Sequence, residues 1–184
     1  MLKSALESDS RFGVVRWDPI SKKIADVGCC AQIIKHQTSE DGRSNIVTLG
    51  QQRFRVLEII REAPFINALV SWIDDEAISD QAQLEDLSKN VLIALQDVVS
   101  LAGKLTESET DLPDGLPDMP RELSFWIAAH LGGSVAEEQQ QLLELTNTIH
   151  RLEREYELLD HTRKQLAART ALKDTLSNVD KKNT

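Results

Sequence analysis

The sequence lacks the features that would place it in a membrane, in a disulfide framework or on a nucleic acid. Only 2 of its 184 residues are cysteine, and 4% are aromatic. No apolar run approaches the roughly 18 residues of a membrane span, and residues 1–10 carry charges where a signal peptide would be apolar. The net charge of −9 repels phosphate, and no basic stripe is interleaved with aromatic residues. We therefore expect a cytoplasmic protein that has neither a membrane nor a nucleic acid as its partner.

The cysteines are also poorly placed for chemistry. Cys29 and Cys30 are adjacent in a predicted strand, where alternation points their side chains to opposite faces. No second cluster of cysteine or histidine lies at the spacing of metal ligands. We interpret both cysteines as reduced packing residues and expect no metal, with a vicinal redox pair or a metal site as the alternative.

Enzymatic motifs are missing as well. Gly103 and Lys104 are followed by Leu105, where a phosphate-binding loop needs Ser or Thr. The 4 histidines are scattered, and none belongs to the His-Glu-x-x-His pair of a zinc protease. No strained turn presents a serine nucleophile. We therefore expect no catalytic residue, no cofactor and no enzymatic activity.

An uneven charge distribution indicates where the chain divides. The net charge is +2 over residues 1–73, −10 over residues 74–122 and −1 over residues 123–184. The composition changes at the acidic run that opens the middle part. We expect three parts: a β subdomain over residues 1–76, a helical subdomain over residues 77–178 and a flexible tail over residues 179–184.

The first part has the pattern of an antiparallel meander. Gly42 favours a hairpin turn with a positive φ, and Gly50 favours a second turn. Apolar runs between such turns predict five strands, at residues 12–17, 27–36, 46–49, 54–60 and 65–72.

The fourth of these strands alternates basic and apolar residues. Alternation puts Arg53 and Arg55 together on one face, which we expect to be solvated, and Phe54 and Val56 on the other face. The arrangement suits a sheet with one solvent-exposed face, and it does not by itself indicate a particular activity.

The second part has the periodicity of helices. From Gln81 onward, one apolar face recurs at steps of three and four, which predicts an amphipathic helix of about 24 residues. Pro120 is placed to start a short helix that Gly132 and Gly133 would end. The face of the first helix consists of Leu84, Leu87, Val91, Leu95, Val98, Ala102 and Leu105.

A final long helix is predicted from the capping-box spacing of Ser134 and Glu137. Its apolar positions form a heptad seam that lasts for fewer than four heptads. We favour packing of this seam against the Gln81 helix, with a coiled coil between chains as the alternative. The seam consists of Leu142, Leu145, Ile149, Leu152, Tyr156, Leu159 and Leu166.

Several short runs occur together in an order and spacing typical of one protein family. They are RFGVV at residues 11–15, DVGC at 26–29, NIVTLG at 45–50, RFRV at 53–56, Pro64-Phe65 ahead of Trp72, and PRELSFW at 120–126. Together they resemble the N-terminal substrate-binding (LON) domain of the ATP-dependent protease Lon, in the form of the stand-alone LON-domain proteins of cyanobacteria and plastids.

The resemblance implies an α+β fold, in which a PUA-like antiparallel β-barrel precedes an α-helical subdomain with a long C-terminal helix. Family members begin with a further pair of strands ahead of the segment that Met1 resembles. We therefore expect a barrel that is partly open at its N-terminal end, with an unpaired edge that favours association. Neither the ATPase domain nor the Ser-Lys protease domain of Lon has a counterpart in the sequence.

We expect a non-catalytic protein-binding or peptide-binding module that recognises unfolded or exposed protein segments, or a protease or chaperone partner. The candidate contact residues are Arg53, Phe54, Arg55, Phe65 and Trp72, although the aromatic side chains among them are more often part of a core. Two alternatives remain. One is an adaptor that forms homo-oligomers through the C-terminal helix, and the other is a regulatory subunit of ATP-dependent proteolysis.

Overall fold

A computed structural model describes residues 1–108, 111–131 and 136–182 of the chain. The chain divides after Asp74 into two units, Met1–Asp74 and Asp75–Thr184. The first unit is built on a β-sheet and the second on helices, and each is described by itself.

The sheet of the first unit has four antiparallel strands in the order β1-β2-β3-β4. A short helix, α1, precedes it, and one of its five residues, Ala5, is buried. The elements are α1 (Leu2–Leu6), β1 (Arg11–Asp18), β2 (Lys23–Thr38), β3 (Ser44–Arg61) and β4 (Asn67–Ile73).

The turns between these strands follow from local chemistry. Asp18 ends β1 and accepts hydrogen bonds from the Ile20 backbone N–H at 2.9 Å and from the Ser21 hydroxyl at 2.6 Å. Such Asx-type bonds stabilise a turn. The predicted hairpin turn between β2 and β3 is confirmed, with a φ of 81° at Gly42.

Two predictions about the sheet were wrong. Gly50 does not turn the chain, because β2 is long enough to pair with the whole of one continuous strand, in which Gly50 lies opposite Ala31. The ladder of hydrogen bonds to β2 outweighs the turn preference of one glycine. The four described strands also do not close into a barrel, since β1 and β4 each pair on one side only.

The helical unit contains four described helices. Asp80 caps the first of them by accepting a hydrogen bond from the Gln83 backbone N–H at 2.9 Å. The predicted Gln81 helix and the predicted start at Pro120 are both confirmed. The bounds are α2 (Gln81–Thr106), α3 (Pro120–His130), α4 (Ala136–Glu144) and α5 (Thr148–Lys182), so α5 runs into the stretch predicted as a tail.

The predicted continuous final helix is interrupted between α4 and α5. Asn147 starts α5 anew, because its side-chain oxygen accepts hydrogen bonds from the backbone N–H groups of Ile149 at 3.0 Å and His150 at 3.2 Å. Thr146 donates from its hydroxyl to Glu76 at 2.6 Å, which lowers the pKa of that carboxyl. The predicted helix stop at residues 132–133 and the cap at residue 134 lie outside the described residues.

The core of this unit lies between α2, α3 and α5. It is formed by Leu84, Val91, Ala94, Leu95, Leu123, Ile127, Ile149, Leu152 and Leu159. Three members of the predicted seam, Ile149, Leu152 and Leu159, are therefore used within the unit. Among the other seam members, Leu142 is also buried, Leu145 lies in the connection to α5 and Tyr156 is 37% exposed. Leu166 is half-buried.

A buried arginine ties the start of the unit to its helices. Arg151 is fully buried and donates to the Ser124 hydroxyl at 2.7 Å, to the Leu145 carbonyl at 2.8 Å and to the Asp75 carboxylate. Its guanidinium also lies 4.0 Å from the centre of the Phe125 ring. Because the charge of Arg151 is paired and its donors are satisfied, the site avoids the large cost of an isolated buried charge.

One turn further along α5, Glu155 is buried without such partners. It has no exposed surface, and neither carboxylate oxygen has a hydrogen-bond partner among the described residues. Burial raises the pKa of Glu155 to about 9, against the opposing effect of Arg151. The carboxyl is therefore protonated in the folded unit at neutral pH.

Candidate functional site

One face of the sheet forms a cavity of about 320 Å³. All four strands contribute to its wall, including the two edge strands β1 and β4. Residues from both edges of one sheet can line one cavity only if the sheet curls, and the register shifts in all three strand pairings supply local bends. The apolar wall includes Val15, Ile24, Phe54, Val56, Val70 and Trp72.

Phe54 forms the floor of the cavity, and two glycines make room for its ring. The residue is 5% exposed and lies opposite Gly28 in β2. A Cβ atom added to Gly28 would lie 2.7 Å from the ring and 2.4 Å from the Val14 carbonyl oxygen, and one added to Gly13 would lie 2.9 Å from the ring. Side chains at these two strand positions would therefore displace Phe54 or the neighbouring backbone.

Trp72 forms a wall of the cavity that solvent can reach. It lies opposite Phe54 in β4 and remains 54% exposed. The two rings meet edge to face, with their centres 6.4 Å apart and their planes at 83°. This geometry is favourable for aromatic pairs, and it leaves one face of the indole free of Phe54.

Every second residue from Ile66 to Trp72 lines the cavity. The series is Ile66, Ala68, Val70 and Trp72. This period of two is the alternation of a strand, so one face of β4 faces the cavity along its length.

The charged part of the wall consists of Arg11 at the start of β1 and Asp9 just before it. Asp9 and Arg11 line the cavity and are both exposed, and the Asp9 carboxylate accepts a hydrogen bond from the Arg11 backbone N–H at 3.2 Å. The rest of the wall is apolar apart from Cys30. Because burial raises the pKa of the Cys30 thiol, the thiol stays neutral and unreactive at pH 7.

The structure brings together two of the five candidate contact residues, Phe54 and Trp72. Arg53 points away from the cavity and is 4% exposed, so the expectation that it lies on a solvated face was wrong. Arg53 lies between Cys29 and the buried Ile73 on the neighbouring strands, whereas Arg55 lies beside the exposed Ser71. Arg55, on the same side, is exposed.

Phe65 lies outside the cavity wall, in the connection between β3 and β4. The Arg61 guanidinium covers its ring at 5.6 Å from the ring centre. Sequence reasoning missed the contributions of Val15 and Val70 to the cavity. The alternation from residue 66 to residue 72 and the glycines at positions 13 and 28 were the signals that would have indicated them.

Other kinds of site receive no support from the described residues. Within residues 1–108, 111–131 and 136–182, no group of three or more His, Cys, Asp or Glu side chains is placed to hold a metal ion. Over the same ranges, no helix is both long and apolar enough to cross a bilayer.

The sequence matches a known protein family. Residues 1–161 match the family model described as the ATP-dependent protease La (LON) substrate-binding domain. The chain belongs to the LON substrate-binding domain family. These residues correspond to the N-terminal domain of Lon, and no catalytic domain region lies among them.

Full-length relatives of this LON domain are bacterial Lon proteases. This chain is 28% identical over 172 residues to the Lon protease of Anaeromyxobacter dehalogenans and 29% identical over 172 residues to Lon protease 2 of Myxococcus xanthus. Each alignment covers 90% of this chain. The chain spans 20% and 21% of the length of these two relatives, respectively.

Solved structures support the fold of the LON domain. The N-terminal domain of a Mycobacterium avium complex Lon protease superposes with a TM-score of 0.60 at 17% identity, covering 86% of this chain and 82% of the other. A Lon N-terminal domain protein from Xanthomonas campestris superposes with a TM-score of 0.55 at 21% identity, covering 82% and 77%. Both likenesses are at the level of the fold.

Proposed function

We propose that this LON domain binds extended or unfolded segments of protein substrates in the cavity of its sheet. The observation that carries the proposal is the open apolar cavity in which Trp72 is half-exposed above the buried Phe54 ring. A half-exposed tryptophan at an apolar cavity is the kind of anchor that dominates binding energies in protein interfaces.

The cavity suits apolar side chains. Its volume of about 320 Å³ lies near the lower end of the range of about 300–1,000 Å³ that is usual for ligand sites. Its two charged residues, Asp9 and Arg11, have opposite signs, so the wall carries no net charge that would select an ionic ligand. Side chains that are buried in a native protein become available when that protein unfolds, which makes unfolded segments the natural ligands of such a wall.

Family membership supports a protein as the ligand. The matching family model is described as a substrate-binding domain, and the relatives are named as proteases, whose substrates are proteins. Binding in the cavity requires neither a nucleotide nor a catalytic group. Under the proposal, recognition is therefore separable from proteolysis.

An adaptor role through the seam of the last helices receives less support. Leu142, Ile149, Leu152 and Leu159 are buried within the helical unit. A coiled coil between chains would need these side chains at a surface. We therefore do not extend the proposal to association through the seam.

The test compares two tryptophans of similar exposure. Trp72 is 54% exposed in the cavity, and Trp17 is 56% exposed and does not line it. The probe is fluorescently labelled α-lactalbumin, kept unfolded by reduction and carboxymethylation, and the readout is fluorescence anisotropy. We expect Trp72→Ala to weaken binding about tenfold or more, the usual scale for loss of an aromatic anchor, and Trp17→Ala to change it less than twofold.

Two results would contradict the proposal. Equal binding by the two variants would exclude Trp72 as an anchor. No binding of the unfolded probe to the wild-type chain at tens of micromolar would exclude the function itself. Circular dichroism of both variants has to match the wild type, so that a loss of binding does not come from a loss of the fold.

A further inference from the structure

We propose that Glu155 is a reserve counter-ion for Arg151 and replaces Asp75 whenever Asp75 leaves the buried guanidinium. The inference concerns the helical unit alone and does not depend on the proposed function. It assigns a conformational role to a buried carboxyl that binding in the cavity does not use.

The first observation is that Glu155 occupies a core position of α5. Leu152, Glu155 and Leu159 follow one another at steps of three and four, and they are 0%, 0% and 4% exposed. This spacing places the three side chains on one face of the helix. A buried acid without a hydrogen-bond partner is costly at such a position, which an apolar side chain would fill without that cost. Packing alone therefore does not account for Glu155.

The second observation is that Arg151 is the neighbour of Glu155 on the same helix. The two residues are four apart, and both side chains are fully buried. Side chains at this spacing lie next to each other, which suits an ion pair. Among the described residues, Arg151 is also the one charged group whose field acts on Glu155, and it opposes the larger effect of burial on the pKa. While Asp75 compensates the guanidinium, burial prevails and Glu155 stays protonated.

Charged groups of α2, α3 and α4 that reach this part of the unit have partners of their own. The pairs are Asp97 with Arg163 at 3.1 Å, Glu138 with Arg154 at 2.8 Å and Arg121 with Asp75 at 3.4 Å. The Arg121 side chain is 45% exposed, so water can solvate its charge if Asp75 leaves. The fully buried Arg151 has no such access to water.

The third observation is that Asp75 lies in a connection rather than in a helix. It follows β4, which ends at Ile73, and precedes α2, which begins at Gln81. Connections move more readily than the elements they join. Departure of Asp75 would leave Arg151 buried without a counter-ion, which is strongly destabilising. Ionisation of Glu155 avoids this cost, and the proton of its carboxyl goes to solvent.

The test is whether the effect of Glu155→Gln changes sign when Asp75 is neutralised. Urea unfolding of the full chain at pH 7 compares the wild type, Asp75→Asn, Glu155→Gln and the double variant. In the wild type, Glu155→Gln should lower the unfolding constant about a hundredfold, because it removes the cost of keeping the carboxyl protonated. In Asp75→Asn, the same change should raise the unfolding constant at least about tenfold, because it removes the remaining counter-ion of Arg151.

The matched control background is Glu76→Gln. Glu76 is the next residue, and its carboxylate accepts hydrogen bonds from Thr146 at 2.6 Å and from Asn147 at 3.3 Å. In this background, Glu155→Gln should still lower the unfolding constant about a hundredfold. The same sign of the effect in the wild type and in Asp75→Asn would overturn the proposal. A change of sign in the control background would also overturn it, because loss of any acid from the connection would then suffice.

The protonation of Glu155 gives a readout that does not require the double variant to fold. Carbon-13 nuclear magnetic resonance follows the carboxyl signal that Glu155→Gln removes, in the wild type and in Asp75→Asn. The pKa of Glu155 is raised to about 9 in the wild type and should lie below about 7 in Asp75→Asn, because an uncompensated guanidinium favours the ionised form. Equal titration midpoints in the two chains would overturn the proposal. Failure of Asp75→Asn to fold would overturn it as well, since a reserve counter-ion should keep that variant folded.

Discussion

The buried carboxyl of Glu155 makes the stability of the helical unit depend on pH. In the folded unit its pKa is raised to about 9 from its ordinary value of 4.5, because the residue is fully buried on α5. The unfolded chain therefore releases a proton above about pH 4.5 that the folded chain keeps until about pH 9. The free energy of unfolding should therefore decrease as the pH rises from about 4.5 to about 9.

The size of the effect follows from the shift. At pH 7 the unfolded carboxyl lies about 2.5 pH units above its pKa, and each unit corresponds to about 1.4 kcal/mol, which gives a cost of about 3 kcal/mol as an upper estimate. Glu155→Gln keeps the shape and polarity of the protonated side chain and removes the titration. We therefore expect the variant to be more stable than the wild type by about 3 kcal/mol at pH 7, and to match it near pH 4.5.

The assay is urea unfolding of the full chain, followed by far-ultraviolet circular dichroism at pH 5, 7 and 8.5. The control is Glu153→Gln, since Glu153 is exposed on the same helix and should show no such dependence. If the difference in stability between Glu155→Gln and the wild type stays constant across the three pH values, Glu155 is ionised in the folded chain and its carboxyl is not the source of a pH dependence.

Three further changes test the packing described above. Gly28→Ala should destabilise the sheet by about 1–3 kcal/mol, because its Cβ would meet the Val14 carbonyl oxygen at 2.4 Å, whereas Gly50→Ala should be tolerated; urea unfolding compares the two. Arg151→Met should cost about 3 kcal/mol, the lower end for breaking a buried ion pair, because the Asp75 carboxylate keeps its contacts with Arg121 and Thr148, and calorimetry would measure the loss. Asn147→Ala should cost about 1 kcal/mol through loss of the cap of α5, as seen in thermal unfolding.

Each of these has an outcome that would contradict it. Equal unfolding midpoints for Gly28→Ala and Gly50→Ala would show that the sheet relaxes freely around Phe54. A change below 1 kcal/mol for Arg151→Met would mean that the buried pair contributes little to the unit. Unchanged stability of Asn147→Ala would place the start of α5 under the control of other contacts.

The helices were largely predictable from the sequence, because their signals are local. The spacing of Leu84, Val91 and Leu95 and the proline at position 120 depend on neighbouring residues alone. The break before α5 was missed because it depends on partners far away in sequence. Asn147 bonds both to the next turn of the helix and to Glu76, and the heptad pattern runs through the break without a change.

The sheet was predictable in its direction and its hairpin, and wrong where tertiary context decides. Gly50 has the composition of a turn, but pairing with Ala31 holds it in the strand. The alternation at residues 53–56 identified the two faces correctly and gave the wrong environment for Arg53. The alternation of side chains along a strand shows which residues share a face. Whether that face is buried depends on the tertiary contacts around it.

The candidate site followed the same division. Phe54 and Trp72 were found as aromatic residues of a meander, and their meeting at 6.4 Å needed the pairing of β3 with β4. The cavity as a whole was not predictable, because it forms only where the curled sheet brings residues of both edge strands to the same wall. No local sequence pattern predicts that curvature.

Nuclear magnetic resonance can locate the surface of the chain at which protein segments bind. The measurement is the change in backbone amide shifts when the unfolded α-lactalbumin probe is added to isotope-labelled chain. Binding in the cavity predicts that the largest changes cluster at Val15, Phe54, Val70 and Trp72, with little change along α5. Changes concentrated on α5, or spread evenly over the chain, would contradict binding in the cavity.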